Sequence, residues 1–120
     1  MDKQILELEK SLFKYEYMSD VNYLEKIIDE SYEELGKSGK MIYKSDVIKE
    51  LSCLNSDRDI TIYNFTCTEI SKDLWMVHYI TKSENKKIYR TSIWKKVNEQ
   101  ICLVFHQASE YKENVELEMF

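Results

Sequence analysis

With 120 residues, 17 Lys and Arg against 22 Asp and Glu, and a formal net charge of −5, the chain has room for one domain and repels phosphate backbones. The basic residues gather into nothing larger than the doublets Lys86-Lys87 and Lys95-Lys96, so no nucleic-acid partner is expected. No apolar run approaches the ~20 residues that cross a bilayer, and no basic segment leads into one, so a soluble, cytoplasmic protein with no membrane partner is expected.

A chain of this size buries roughly two thirds of the surface its unfolded form exposes, enough for one core and a small cavity. Cys53, Cys67 and Cys102 are odd in number, far apart and set among apolar residues. That is the usage of small buried hydrophobes in a reducing compartment.

There are no prolines and only two glycines, so periodicity has to locate the elements. Between Lys3 and Tyr17 the residues Ile5, Leu8, Leu12, Phe13 and Tyr15 recur at spacings of three and four, the period of an amphipathic helix. Ser19-Asp20 supplies an N-cap signal for a second helix with Val21, Leu24, Ile27 and Ile28 on its buried stripe. Tyr32 to Gly36 reads as a short strand ending in the turn Gly36-Lys-Ser-Gly39, and Met41 to Tyr43 as its return. Ser45-Asp46 then caps a third helix carrying Val47, Ile48, Leu51 and Leu54, followed by the polar loop Asn55 to Asp59.

After that loop the period falls from about 3.6 to 2. Ile60 to Ile70, Leu74 to Lys82, Lys87 to Val97 and Gln100 to Ser109 form four β-rich runs joined by short polar turns, an antiparallel meander. Helices first and a long curved sheet afterwards predict an α+β fold in which three N-terminal helices pack on the concave face. The single domain is expected to span residues 1–110, with an acidic tail over 111–120 that is either solvated or packed on the pocket or a partner.

Regular hairpins centred on Asn98-Glu99 and Glu84-Asn85 set Trp94 opposite Leu103, Ser92 opposite Phe105 and Arg90 opposite Gln107. They also set Trp75, Val77 and Tyr79 opposite Trp94, Ser92 and Arg90. On the other face Ile93 meets Val104 and Thr91 meets His106, beside Met76 and His78. A slip of one residue exchanges the two sets. Both faces are apolar, and the chain's own helices cover only one, so the face of Met76, His78, Thr91, Ile93, Val104 and His106 is the expected homodimer interface.

Leu6-Glu-Leu-Glu9, Tyr32-Glu-Glu-Leu-Gly36, Lys44-Ser-Asp-Val-Ile48, Arg90-Thr-Ser-Ile-Trp94 and Val104-Phe-His-Gln-Ala-Ser109, in this order of elements, resemble the nuclear-transport-factor-2-like and SnoaL-like superfamily. The nearest resemblance is to a small stand-alone bacterial group of unknown function (DUF4440-like), related to the calmodulin-kinase association domain. The resemblance spans nearly the whole chain. It implies a cone-shaped fold with a pocket between helices and concave sheet, often a dimer through the opposite face, and a pocket-facing position for Ser92. Relatives tend to carry Gly-Thr at Ala108-Ser109 and Trp at Ile101, departures that alter the strand's shape. The superfamily hosts many chemistries on one scaffold, so it specifies fold and not activity.

On that basis the expected ligand-binding residues are Tyr15, Tyr32, Glu34, Trp75, Tyr79, Arg90, Ser92, Trp94 and Gln107. The plain reading pairs Arg90 with Glu34 to satisfy a cavity mouth. The functional reading has Arg90 bind an anionic or carbonyl oxygen, Tyr79 and Gln107 orient it, and the aromatic walls bury an apolar body. An enzyme would use Glu34, taken as the only available carboxylate, as its general base. A protein-interaction module is the further alternative. His78 and His106 lack a third ligand, so neither a metal nor any other cofactor is expected.

Overall fold

The structure is a computed structural model that describes residues 1–36 and 38–120. Four helical segments and six strands follow in the order α1 (Asp2–Ser11), α2 (Tyr15–Met18), α3 (Val21–Ile27), β1 (Ile28–Leu35), β2 (Met41–Tyr43), α4 (Lys44–Ser52), β3 (Thr61–Ser71), β4 (Leu74–Ser83), β5 (Lys86–Val97) and β6 (Gln100–Glu110). The sheet order is β2-β1-β6-β5-β4-β3, with every neighbouring pair antiparallel except β1 and β6. This is an α+β arrangement of helices against a curved, open, mixed sheet. No helix among the described residues is long and apolar enough to cross a membrane.

The first expected helix is two. Leu12 and Phe13 turn their carbonyls to the loop before β3, accepting from Arg58 Nη1 (3.3 Å) and the Arg58 backbone N–H (2.8 Å). Asp57 in the same loop accepts the Tyr15 backbone N–H at 2.7 Å. Lys14 is extended at this junction, so α2 restarts on a new axis and its helical face no longer follows α1. Asp20 caps α3 by accepting the Tyr23 N–H, and Asp46 in the first turn of α4 accepts the Tyr43 N–H. Lys37, inside the expected Gly36 to Gly39 turn, lies outside the described residues; Gly39 has φ +82°, a left-handed conformation that favours glycine.

Met18, Leu24, Ile27, Val47, Ile48 and Leu51 from the helices meet Ile62, Phe65, Trp75, Val77, Tyr79, Trp94 and Leu103 from the sheet in one core. Burying each large side chain contributes about 1.5–3 kcal/mol relative to leaving it in water. The hairpin turns reach positive φ without glycine, at Asp73, Glu84, Asn98 and Glu99.

The β4–β5 register matches expectation, with Trp75 opposite Trp94, Val77 opposite Ser92 and Tyr79 opposite Arg90. The β5–β6 register matches only as far as Trp94 opposite Leu103. Trp94 pairs with Leu103 and Ile93 with Phe105, so Val104 is the extra residue of a β-bulge. Beyond it every side chain changes face: His106, not Phe105, lies opposite Ser92, and Ala108, not Gln107, lies opposite Arg90. Gln107 pairs with Thr91 and is exposed.

The C-terminal residues close on the sheet's free edge. Asn64 donates its backbone N–H to Glu118 O (2.9 Å) and its side-chain amide to Glu116 O (2.9 Å), and accepts the Glu118 N–H (2.7 Å). Phe120 N–H bonds Ile62 O at 3.0 Å, and its ring centroid lies 6.2 Å from that of Phe65.

Candidate functional site

The cavity lies between α1, α4 and the concave sheet. It has a volume of about 260 Å³ and is walled by Leu12, Phe13, Ile28, Val47, Leu51, Leu54 and Leu103, with Glu9, Tyr32, Glu34, Glu50, Arg58, Tyr79, Arg90 and His106 as its polar groups.

Helix α1 brings Glu9 to the floor. Ile5, Glu9 and Leu12 recur at spacings of four and three, so a carboxylate lies on the buried stripe. It is 1% exposed. Its Oε1 accepts from Trp94 Nε1 at 2.9 Å and its Oε2 from the Tyr79 hydroxyl at 2.6 Å. Burial pushes the Glu9 carboxyl above its ordinary range, against hydrogen bonds from Ser92, Tyr79 and Trp94 and the charge of Arg90. The same burial, with the Glu9 charge, pushes the Tyr79 hydroxyl well up, so Tyr79 stays a donor.

The bulge in β6 brings His106 beside this group. Its Nδ1 is 2.8 Å from Ser92 Oγ and its Nε2 is 3.3 Å from Arg90 Nη1. A guanidinium has only donors, so Nε2 must carry the lone pair and Nδ1 the proton. Nδ1–H then donates to Ser92, which frees the serine hydroxyl proton for Glu9. Burial, with the charges of Arg90 and Arg58, lowers the His106 pKa to about 3, which keeps the imidazole neutral in this chain of donors.

Arg90 is fixed by Nε donation to Thr81 Oγ1 at 2.8 Å and Arg58 by the Leu12 carbonyl. The two guanidinium carbons stand 5.9 and 4.8 Å from the centroid of the Phe13 ring. Among the described residues neither arginine forms an ion pair with a carboxylate, so the expected Arg90–Glu34 pair is absent. Glu34 instead accepts from the Tyr32 hydroxyl. Burial lowers the Arg58 pKa, and the neighbouring Arg90 charge acts in the same direction.

Of the residues expected at the site, Tyr32, Glu34, Tyr79 and Arg90 line the cavity. Ser92 and Trp94 lie fully buried beneath it, in contact with His106 and Glu9. Three are elsewhere. Tyr15 is 43% exposed because α1 breaks before it; Trp75 is buried in the core outside the cavity lining; Gln107 faces away because of the bulge. Glu34 is not the only carboxylate, since Glu9 and Glu50 also line the space. His106 leaves the expected interface set, while Met76, His78, Thr91, Ile93 and Val104 are half-buried. His78 Nδ1 lies 2.9 Å from Thr91 Oγ1 and its ring stacks on Tyr89, which leaves the two histidines in separate environments.

Sequence reasoning missed Glu9, Arg58 and the placement of His106. A signal existed for Glu9, whose helical spacing falls on the apolar stripe. None existed for Arg58, one charge in a polar loop.

No protein-family model matches the chain, and no curated protein does. Solved structures do. An NTF2-like protein from Cytophaga hutchinsonii superposes with a TM-score of 0.75 at 17% identity, covering 91% of this chain and 97% of that one. A protein of unknown function of the DUF3225 family from Pectobacterium atrosepticum gives 0.72 at 19%, covering 92% and 87%. The association domain of C. elegans CaMKII gives 0.69 at 15%, covering 89% and 93%. At these identities the likeness shows the fold: the chain has the nuclear-transport-factor-2-like fold, as the motifs along the chain and the order of its elements led one to expect.

Proposed function

We propose that this domain binds a small molecule with an apolar body and a carboxylate, the carboxylate held by Arg58 and Arg90. The observation that carries this reading is the pair of guanidiniums that line a cavity with apolar walls and form no ion pair with a carboxylate among the described residues. Both arginines are partly buried, and partly buried arginines favour bidentate contact with planar anions. Leu12, Phe13, Val47 and Leu51 provide the apolar wall for a ring or short alkyl body.

Calorimetric titration with benzoate and phenylacetate tests the reading. Binding to the intact protein with a loss of roughly tenfold or more in Arg90→Ala and Arg58→Ala is expected, since a charge-assisted contact contributes more than 1.4 kcal/mol. No heat and no rise in melting temperature with any aromatic or alkyl carboxylate at millimolar concentration would overturn it.

The enzyme alternative is favoured by one feature, the buried Glu9 carboxyl at the cavity floor with its raised pKa. It moves the acid–base role from Glu34, which is engaged by Tyr32, to Glu9. Full turnover by Glu9→Gln on a discovered substrate rejects it.

A homodimer through the opposite sheet face is part of the proposal. Met76, Ile93, Val104 and Phe105 there are only half-buried within one chain, and apolar sheet faces are seldom left in water. One structure with the same fold is named as an association domain. A monomeric mass by light scattering at micromolar concentration counts against it. A reducing cytoplasmic location fits three free cysteines, with Cys102 buried, Cys67 half-buried and Cys53, against expectation, exposed.

A further inference from the structure

The cavity is not uniformly basic. Arg58 and Arg90 face it from the loop before β3 and from β5, while Glu34 and Glu50 face it from β1 and α4. Strand β6 separates β1 from β5 and Arg90 is two residues along β5 from the row of Glu34, so their backbones stand about 12 Å apart by the usual strand spacing and rise. His106 is the direct partner of Glu34 across the β1–β6 pairing and of Ser92 across β5–β6, which seats a neutral ring between the acidic and basic groups.

These charges attract across the cavity, since Glu34 and Glu50 favour the Arg58 charge, but they do not touch. Neither arginine makes an ion pair with Glu34 or Glu50. Glu34 has one oxygen taken by the Tyr32 hydroxyl, and Oε2 has no hydrogen-bond partner among the described residues. A simple carboxylate bound at the arginines would feel repulsion from Glu34 and Glu50 and leave Oε2, which is open to water, with no donor but water. A second, cationic group at the far end of the ligand turns that repulsion into attraction and supplies the donor.

Resting on the carboxylate reading above, we propose that the ligand class is an amino carboxylate. Its carboxylate lies on Arg58 and Arg90, its ammonium on Glu34 Oε2 with Glu50 at the rim, and a short apolar spacer crosses the face of His106 and the wall of Leu12, Val47 and Leu51. The acidic groups then act as a filter: plain acids of the same shape still bind, but more weakly, and plain amines more weakly again.

Three probes of one shape test this on the full chain by calorimetry: 4-(aminomethyl)benzoate, 4-methylbenzoate and benzylamine. The amino acid is expected to bind at least tenfold tighter than 4-methylbenzoate, and benzylamine least. Glu34→Gln, whose side-chain oxygen still accepts from Tyr32, is expected to erase the preference while 4-methylbenzoate binds as well or better. Glu50→Gln gives a smaller change in the same direction. Equal or tighter binding of 4-methylbenzoate to the unaltered protein overturns the amino-carboxylate assignment and leaves the carboxylate site standing. Binding of benzylamine alone, or of none of the three, overturns both. The comparison on the unaltered protein decides the matter even if a variant fails to fold.

Discussion

Ser92 Oγ lies 2.8 Å from His106 Nδ1, and both side chains are shielded from water. Burial disfavours the imidazolium, and protonating Nε2 would also set N–H against the donors of Arg90, so the folded protein resists the proton and the pKa falls from 6.5 to about 3. The unfolded chain has no such resistance. Between these values it binds the proton that the native state refuses, so the stability this group contributes is present above pH 6.5 and is lost as the pH falls toward 3, at about 1.4 kcal/mol per unit. Glu9 acts in the opposite sense: its carboxyl is raised from 4.5, so its contribution is present below that value and lost as the pH rises through the folded pKa. A comparison of melting temperatures between pH 7 and pH 4 separates the two. The unaltered protein should fall more steeply than His106→Asn; parallel profiles would show that the imidazole is not held neutral.

Glu9 accepts from the buried Trp94 Nε1 and Tyr79 hydroxyl, with the Ser92 hydroxyl as a further donor, and Trp94 Nε1 can only donate. Glu9→Gln keeps an oxygen for the indole and offers an amide proton to the Tyr79 oxygen, so its cost should stay within about 1 kcal/mol. Glu9→Leu strands the indole and phenol donors in a dry site at about 1–3 kcal/mol each, so a loss of about 2–6 kcal/mol is expected by urea denaturation. Equal losses for the two variants would mean that side-chain volume, not hydrogen bonding, fixes this position.

The strands of the meander were legible because alternation and polar turns place them: their observed bounds, 61–71, 74–83, 86–97 and 100–110, differ from the expected ones by a residue. What the alternation could not show is the bulge. Ile101 to Phe105 is an unbroken apolar run, so the sequence carries no period across Val104, and one unpaired residue there exchanges His106 and Gln107. The break between α1 and α2 was hidden for a related reason, because the groups that hold the Leu12 and Phe13 carbonyls and the Tyr15 N–H come from Arg58 and Asp57, over forty residues later. Pattern reading sees neighbours along the chain; both errors arose from partners across it.

Gln107 turns this correction into a measurement. Paired with Thr91 on the exposed side, Gln107→Ala should leave stability within about 0.5 kcal/mol and carboxylate affinity unchanged. His106→Ala removes the partner of Ser92 and Arg90 and should weaken both. A loss of binding in Gln107→Ala comparable to that in His106→Ala would restore the unbulged register.

The last prediction concerns Asn64, which sits at φ 53° in a β3 bulge and ties down the C-terminal segment by both side-chain atoms. Alanine there loses two exposed hydrogen bonds and adds the cost of a left-handed backbone, about 2–3 kcal/mol together. Glycine loses the bonds alone and should recover about 1 kcal/mol of that difference. Removing residues 116–120 goes further, because it bares the backbone of β3 at the edge of the sheet, where another chain's strand can add. The shortened protein should therefore form species larger than the full chain does as concentration rises, read by light scattering. If it matches the full chain in size and stability, and Asn64→Ala matches Asn64→Gly, the segment does not cap the edge.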